Sequence, residues 1–210
     1  MIIDGKINVQ ISGGSSLKCS GVGTNSDDSC GILIKNSSEG NGYEQGTSQN
    51  YTYLRIDHSI LEISSETAPL ILVDGAYASF QISGGSTIKS KIFLKIKNTS
   101  SKIDIFMMSS VIEGDIIADE NANLNILIQS GATYKGAINP DGKAGFVNVF
   151  IAEGATVELT GDSNVDEFVN SDQSKKNVIT NGFKLDPEED SSLGLFSSKL
   201  MLLLLACLVI

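Results

Sequence analysis

The side chains able to do acid–base chemistry are few. The chain holds one arginine, Arg55, and one histidine, His58, with Asp57 beside them in the run "RIDH". Strand alternation puts Arg55 and Asp57 on one face, outward if Ile56 points in. A salt bridge or plain solvation accounts for the pair, and neither a Ser–His nor a Cys–His partnership can be assembled around His58. The densest acidic group is Glu113, Asp115, Asp119 and Glu120 in "VIEGDIIADEN". Gathered at a corner, those four are calcium candidates, because calcium takes several carboxylate oxygens. The plainer reading is a solvated acidic corner. Two cysteines and one distant histidine do not make a zinc set. The phrase "ISGGSS" lacks the Lys-Ser/Thr ending of a nucleotide loop, and no helical pattern follows it. No catalytic residue and no cofactor is assigned.

Composition narrows the partners. The formal net charge is -10 over 210 residues, and only 15 side chains are basic. Nucleic acid is disfavoured as a partner, since binding it requires clustered Lys and Arg. A charge far from zero reads first as solubility. Cys19 and Cys30 bracket the polar run "CSGVGTNSDDSC". In an oxidising compartment a disulfide closing it would stabilise by roughly 2–3 kcal/mol. Two free thiols are the alternative. A second polar run, "KNSSEGNGYEQGTSQN", covers residues 35–50. Asn36, Asn50 and Asn98 each begin an Asn-x-Ser/Thr sequon, which suits glycosylation in a secreted eukaryotic chain. Tyr43, Tyr51 and Tyr53 group in and beside the second run and are the first choice for meeting a glycan or a partner surface. A solvated loop is the plainer reading of that stretch.

The elements that would position these residues repeat. "VQISGGSSLK" at residues 9–18 returns as "FQISGGSTIK" at residues 80–89, with seven of ten positions identical. Isoleucine, five small or polar residues and an apolar residue recur as Ile82…Ile88, Ile105…Val111, Ile128…Tyr134 and Ile151…Val157, with leading residues 23 apart. Backwards, Ile56, Ile34 and Ile11 continue the series at 26, 22 and 23. That places the twin phrases in the first and fourth coils. An apolar residue two places before each isoleucine gives the alternation of a half-buried strand. A fixed period of this length denotes a solenoid. β-branched residues, Gly and Ser breaks and a period of two exclude helical repeats. The expected fold is an all-β parallel β-helix of about 23 residues per coil, with seven or eight coils. Further strands are expected at "IFLKI", "DIIAD" and "KGAIN". Residues 1–185 form the solenoid, 186–199 an acidic and serine-rich linker and spacer, and 200–210 an apolar tail.

The coils resemble the single-stranded right-handed parallel β-helix of autotransporter passengers and other pectin-lyase-like surface proteins. The ending "VELTGDSNVDEFVNSDQ…NVITNGFKL" is similar to the closing coils of autotransporter-type adhesins. The resemblance spans residues 2–185 and implies fold more than activity. Lyases of this kind set an arginine base beside calcium-binding carboxylates, and hydrolases use aspartate clusters with His and Arg in fixed motifs. This chain offers only Arg55 and shows none of those motifs.

The last 11 residues are uninterruptedly apolar and follow "DPEEDSS". They resemble the tail of a glycosylphosphatidylinositol signal, with Asp190, Ser191 and Ser192 as attachment candidates. A tail-anchor helix is the alternative. The start, "MIIDGKINVQIS", enters strand pattern at once, without a secretory signal or a capping element, so truncation at the start is expected. The open first coil would favour end-to-end association of solenoids. The resulting expectation is a non-enzymatic extracellular rod at the cell surface. It would be adhesin-like or wall-associated and held at the membrane through its C-terminus, with glycans or other proteins as partners. A polysaccharide lyase or hydrolase, active or degenerate, is the alternative.

Overall fold

The structure, a computed structural model, describes residues 1–5, 7–19, 29–35, 51–97 and 102–186. The chain opens with β1 (Ile2–Asp4), β2 (Asn8–Ile11), β3 (Ser16–Cys19) and β4 (Ile32–Lys35). β5 (Tyr51–Asp57), β6 (Ile60–Ile63), β7 (Ile71–Asp74), β8 (Tyr77–Ser83) and β9 (Thr87–Lys97) follow. Next come β10 (Lys102–Met107), β11 (Val111–Ala118), β12 (Asn123–Ile128), β13 (Thr133–Lys135) and β14 (Phe146–Ile151). Short strands complete the array: β15 (Thr156–Glu158), β16 (Ser163–Asn164), β17 (Glu167–Asn170), β18 (Val178–Ile179) and β19 (Leu185–Asp186).

These strands wind into a parallel β-helix of about six turns, with no helix among the described residues. One side is the ladder β2-β5-β8-β10-β12-β14-β17. A second side stacks β3, β6, β9, β11, β13, β15 and β18. The third carries β1, β4, β7 and the later halves of β9 and β11, which bend to serve two sides. It continues through the Ile116–Ile138 bridge towards β16 and β19. Every strand pairing is parallel, so each coil reuses the pleat of the one below it. At the strand spacing, six turns span about 29 Å.

The interior is a set of apolar columns. Leu54, Ile56, Phe80, Ile82, Ile103, Ile105, Met107, Ile112, Ile128 and Ile151 are all 0% exposed. Alternation decides this: β10 reads exposed or intermediate, buried, in strict turn, as a strand with one covered face must. The glycine phrase makes corners, as expected. Gly13 and Gly14 have φ of 73° and 78°, and Gly84 and Gly85 have 65° and 75°, in the left-handed region that only glycine enters cheaply.

The register departs from the uniform series in three places. Ile105 pairs with Phe80 and Ile126, whereas Met107 pairs with Ile82 and Ile128. Met107 therefore holds the column assigned to Ile105, which moves to the neighbouring inward column. A slip of two residues keeps the same face inward, so hydrophobic pattern cannot detect it. The following corner is one residue shorter, placing Ile112 inward against Ile88 and Tyr134 and leaving Val111 49% exposed. Finally, Ile34 belongs to β4 on the third side, paired with Ile3 and Val73. Ile11 pairs directly with Ile56, which pairs with Ile82. Both polar runs thus fall within one long first turn. The twin phrases lie in the first and third coils, and the coil count drops from seven or eight to about six turns.

Candidate functional site

The outward face of the first ladder carries the best-formed patch. With Thr52, Leu54 and Ile56 pointing in, β5 must turn Tyr51, Tyr53, Arg55 and Asp57 out. β8 is in register, so Tyr77 lies beside Tyr51 and Ser79 beside Tyr53. The Tyr51 ring sits 6.1 Å from Tyr53 and 5.8 Å from Tyr77, tilted by 36° and 31°. Tyr53 is 45% exposed and presents its ring to solvent. Burial pushes the Tyr51 hydroxyl well above its ordinary pKa, and the carboxylate of Asp104 on β10, two strands along the ladder, adds to the shift. The Tyr51 hydroxyl therefore stays a neutral donor through the physiological range. Asp104 is itself held by Asn125, whose Nδ2 donates to Oδ1 at 2.8 Å. One strand further, Asn148 is 7% exposed and its Oδ1 accepts no hydrogen bond.

Tyr51 and Tyr53 are thus brought together as the sequence suggested, while Tyr43 lies outside the described residues. Tyr77 and Asp104 were not singled out. The signal for Tyr77 was present: it follows Tyr51 by 26 residues, the same offset that separates Ile56 from Ile82.

Arg55, Asp57 and His58 do lie together, and Ile56 does point in. His58 Nδ1 is 3.0 Å from Asp57 Oδ2, and Ser83 Oγ donates to Asp57 Oδ1 at 2.8 Å. The carboxylate stands between serine and imidazole, so the histidine cannot take the serine proton as a nucleophilic triad requires. These contacts instead staple one corner to the next. The His58 imidazole and the Ser83 hydroxyl, each bonding to the carboxylate, hold the Asp57 pKa below its ordinary value.

The four acidic candidates are dispersed. Asp115 Oδ1 accepts from the Ala137 amide at 2.8 Å and from Thr160 Oγ1 at 3.2 Å, with Lys91 Nζ 4.0 Å from Oδ2. Glu113 lies in register between Lys89 and Lys135. Asp119 and Glu120 begin the next corner. Among the described residues, no three His, Cys, Asp or Glu side chains are grouped to hold a metal ion. Glu113 and Asp115 share a face, but the register against β9 shifts between them, so Glu113 pairs with Lys89 and Asp115 with Ile92.

Cys19 and Cys30 are not joined to one another in this structure. The Cys19 sulfur nonetheless lies close to the backbone that follows Cys30, 3.6 Å from where a Cβ on Gly31 would stand. Asn36, Asn50, Asn98, Asp190, Ser191 and Ser192 all lie outside the described residues. Among the described residues no helix is long and apolar enough to cross a membrane. Compared with protein-family models, with curated proteins and with solved structures, the chain matches none.

Proposed function

We propose that this protein is a non-enzymatic extracellular rod, held at the cell surface by its C-terminal segment and acting as an adhesin-like or wall-associated module. Its recognition surface is the tyrosine patch of β5 and β8. The observation that supports this reading is the patch itself, three aromatic rings fixed by register on the outside of a rigid sheet beside the long polar first turn. Rigid aromatic faces bind at low entropic cost and suit sugar rings or protein surfaces. In this reading Asn36, Asn50 and Asn98 carry glycans, Cys19 and Cys30 are joined by a disulfide, and Asp190, Ser191 or Ser192 receives a lipid anchor.

The test is binding of the full chain to glycan arrays and to cell-wall preparations, repeated with Tyr53→Ala and Tyr77→Ala. Binding weakened about tenfold or more by either change, a loss of roughly 1.4 kcal/mol, is the expected outcome. Polysaccharide turnover abolished by Asp115→Asn or Asp119→Asn would overturn the non-enzymatic reading. Mass spectrometry of the native chain checks the rest: reduced cysteines, bare asparagines and an intact tail would make it an intracellular tethered scaffold instead.

A further inference from the structure

One outward column of the first ladder changes character along the rod. Gln10, Arg55 and Gln81 stand in register in its early coils, followed by Phe106, Leu127, Phe150 and Val169 in the later ones. Ile126 and Ile128 point into the coil, as do Val149 and Ile151, so alternation turns Leu127 and Phe150 out. Yet Leu127 is only 4% exposed and Phe150 6%, whereas Arg55 in the same column is open to solvent. Beside them Asn148, also facing out, is buried with its Oδ1 lacking a donor. Among the described residues no strand lies across this face, because every strand belongs to one of the three sides. A covered apolar surface on the outside of a sheet calls for a second layer.

We propose that this second layer is the chain's own C-terminal segment, residues 193–210, laid over β10, β12, β14 and β17. Composition selects it. Apart from Lys6, the stretches outside the described residues and before β19 are "SGVGTNSDD" at 20–28, the polar run at 36–50 and "NTSS" at 98–101, whereas 193–210 reads "LGLFSSKLMLLLLACLVI". The winding points the same way. β11 on the third side leads into β12 on the first, and β16 into β17, so the same winding continued beyond β19 leads to the first side. Residues 187–192 can span about 20 Å. Eighteen residues reach about 27 Å even if fully helical, against about 14 Å across the four strands. The apolar half of the column is also the half nearest β19. For Asn148 the segment supplies donors in its amides and in Ser197 and Ser198. This contact goes beyond the surface role proposed above and does not require it. In a surface-held rod, the segment rests here until a bilayer or an anchor takes it. Its departure then bares Leu127 and Phe150 on the ladder that carries the tyrosine patch, so tethering and exposure of an apolar docking face become one event.

The experiment is hydrogen exchange read by mass spectrometry on the full chain in detergent-free buffer, at several concentrations. The expected result is that amides of residues 193–210 exchange at least about tenfold more slowly than in Leu127→Asp or Leu203→Asp, and that dilution leaves the difference unchanged. Leu127 faces outward, so Leu127→Asp should keep the β-sheet circular dichroism of the unaltered chain. Should it not, Phe106→Asp, at a half-buried outward position, serves the same purpose. A photoreactive benzoylphenylalanine in place of Phe106, in an equal mixture of isotope-labelled and unlabelled chains, identifies the occupant. Links from position 106 to residues 193–210 of the same chain support the proposal. Links that join labelled to unlabelled chains overturn it, because the occupant is then a second copy. Links to residues 20–28 or 36–50, an absence of links, or exchange of 193–210 indifferent to Leu127→Asp overturn it as well. Each such failure leaves the glycan-binding reading standing, since that is tested separately at Tyr53 and Tyr77.

Discussion

At the scale of single residues, the corners carry the most specific chemistry of the fold. Gly84 and Gly85 share the left-handed backbone but not the same surroundings. A Cβ on Gly85 would meet nothing within 4 Å, whereas on Gly84 it would overlap Asp57 Oδ1 and His58 Nδ1. Gly85→Ala should therefore cost only the left-handed penalty, roughly 1–2 kcal/mol. Gly84→Ala should cost distinctly more, and paired urea melts would show the difference. Where the corner is a residue shorter, His58 and Ser109 take the positive φ themselves, at 49° and 47°. The Asp57 staple gives a pH signature. Its pKa is lowered on folding, so its contribution to stability is present above the unfolded value of about 3.9 and is lost as pH falls through the lower folded value. Thermal melts of Asp57→Asn should lie below those of the unaltered chain near neutrality and converge with them in acid. A constant gap at every pH would show that the carboxylate's charge plays no part.

At the scale of elements, columns of side chains set the register that apolar pattern leaves open. On the outer face of the second side, Lys18, Glu62, Lys89, Glu113, Lys135 and Glu158 stack in that order, opposite charges alternating coil by coil. Lys18 Nζ and Glu62 Oε2 are 3.1 Å apart, as are Lys135 Nζ and Glu158 Oε1. On the third side Asp4, Lys35, Asp74 and Lys97 alternate in the same way. Each exposed pair contributes only a few tenths of a kcal/mol, but a coil slipped by two residues would forfeit most of these matched contacts. Glu113→Lys would set three lysines in a row. It should cost about 0.4–2 kcal/mol over two contacts, with the loss shrinking in high salt. A loss indifferent to salt would deny the ladder its electrostatic role. The same column explains why Glu113 looked like a calcium candidate: its lysines are neighbours in space and 22 to 24 residues away in sequence.

At the scale of the molecule, the rod is quasi-one-dimensional, each coil supported by the two beside it. A break in the middle should be felt along its length. Ile128 and Ile105 are both 0% exposed, in adjacent inward columns. Ile128→Asp or Ile105→Asp would bury an unpaired carboxylate and should cost several kcal/mol, or else hold that carboxyl protonated. Unchanged melting of either variant would refute its inward assignment. The solenoid and its corners were legible in the sequence because the strand period, the glycine breaks and the 23-residue repeat are all local or strictly periodic signals. The tyrosine patch was half legible: Tyr51 and Tyr53 share a strand, but Tyr77 reaches them only through pairing. By itself, the sequence determined that apolar residues must alternate inward on a repeating parallel β-coil, since burying that stripe is the main driving force and its period is written in the chain. Only the tertiary structure decided which coil lies on which. It put Met107 in the column given to Ile105, Ile34 on another side, and both polar runs in a single turn. A slip of two residues keeps the same face buried, so hydrophobicity is indifferent to it. Corner length, charge ladders and hydrogen-bond pairing between coils resolve the choice.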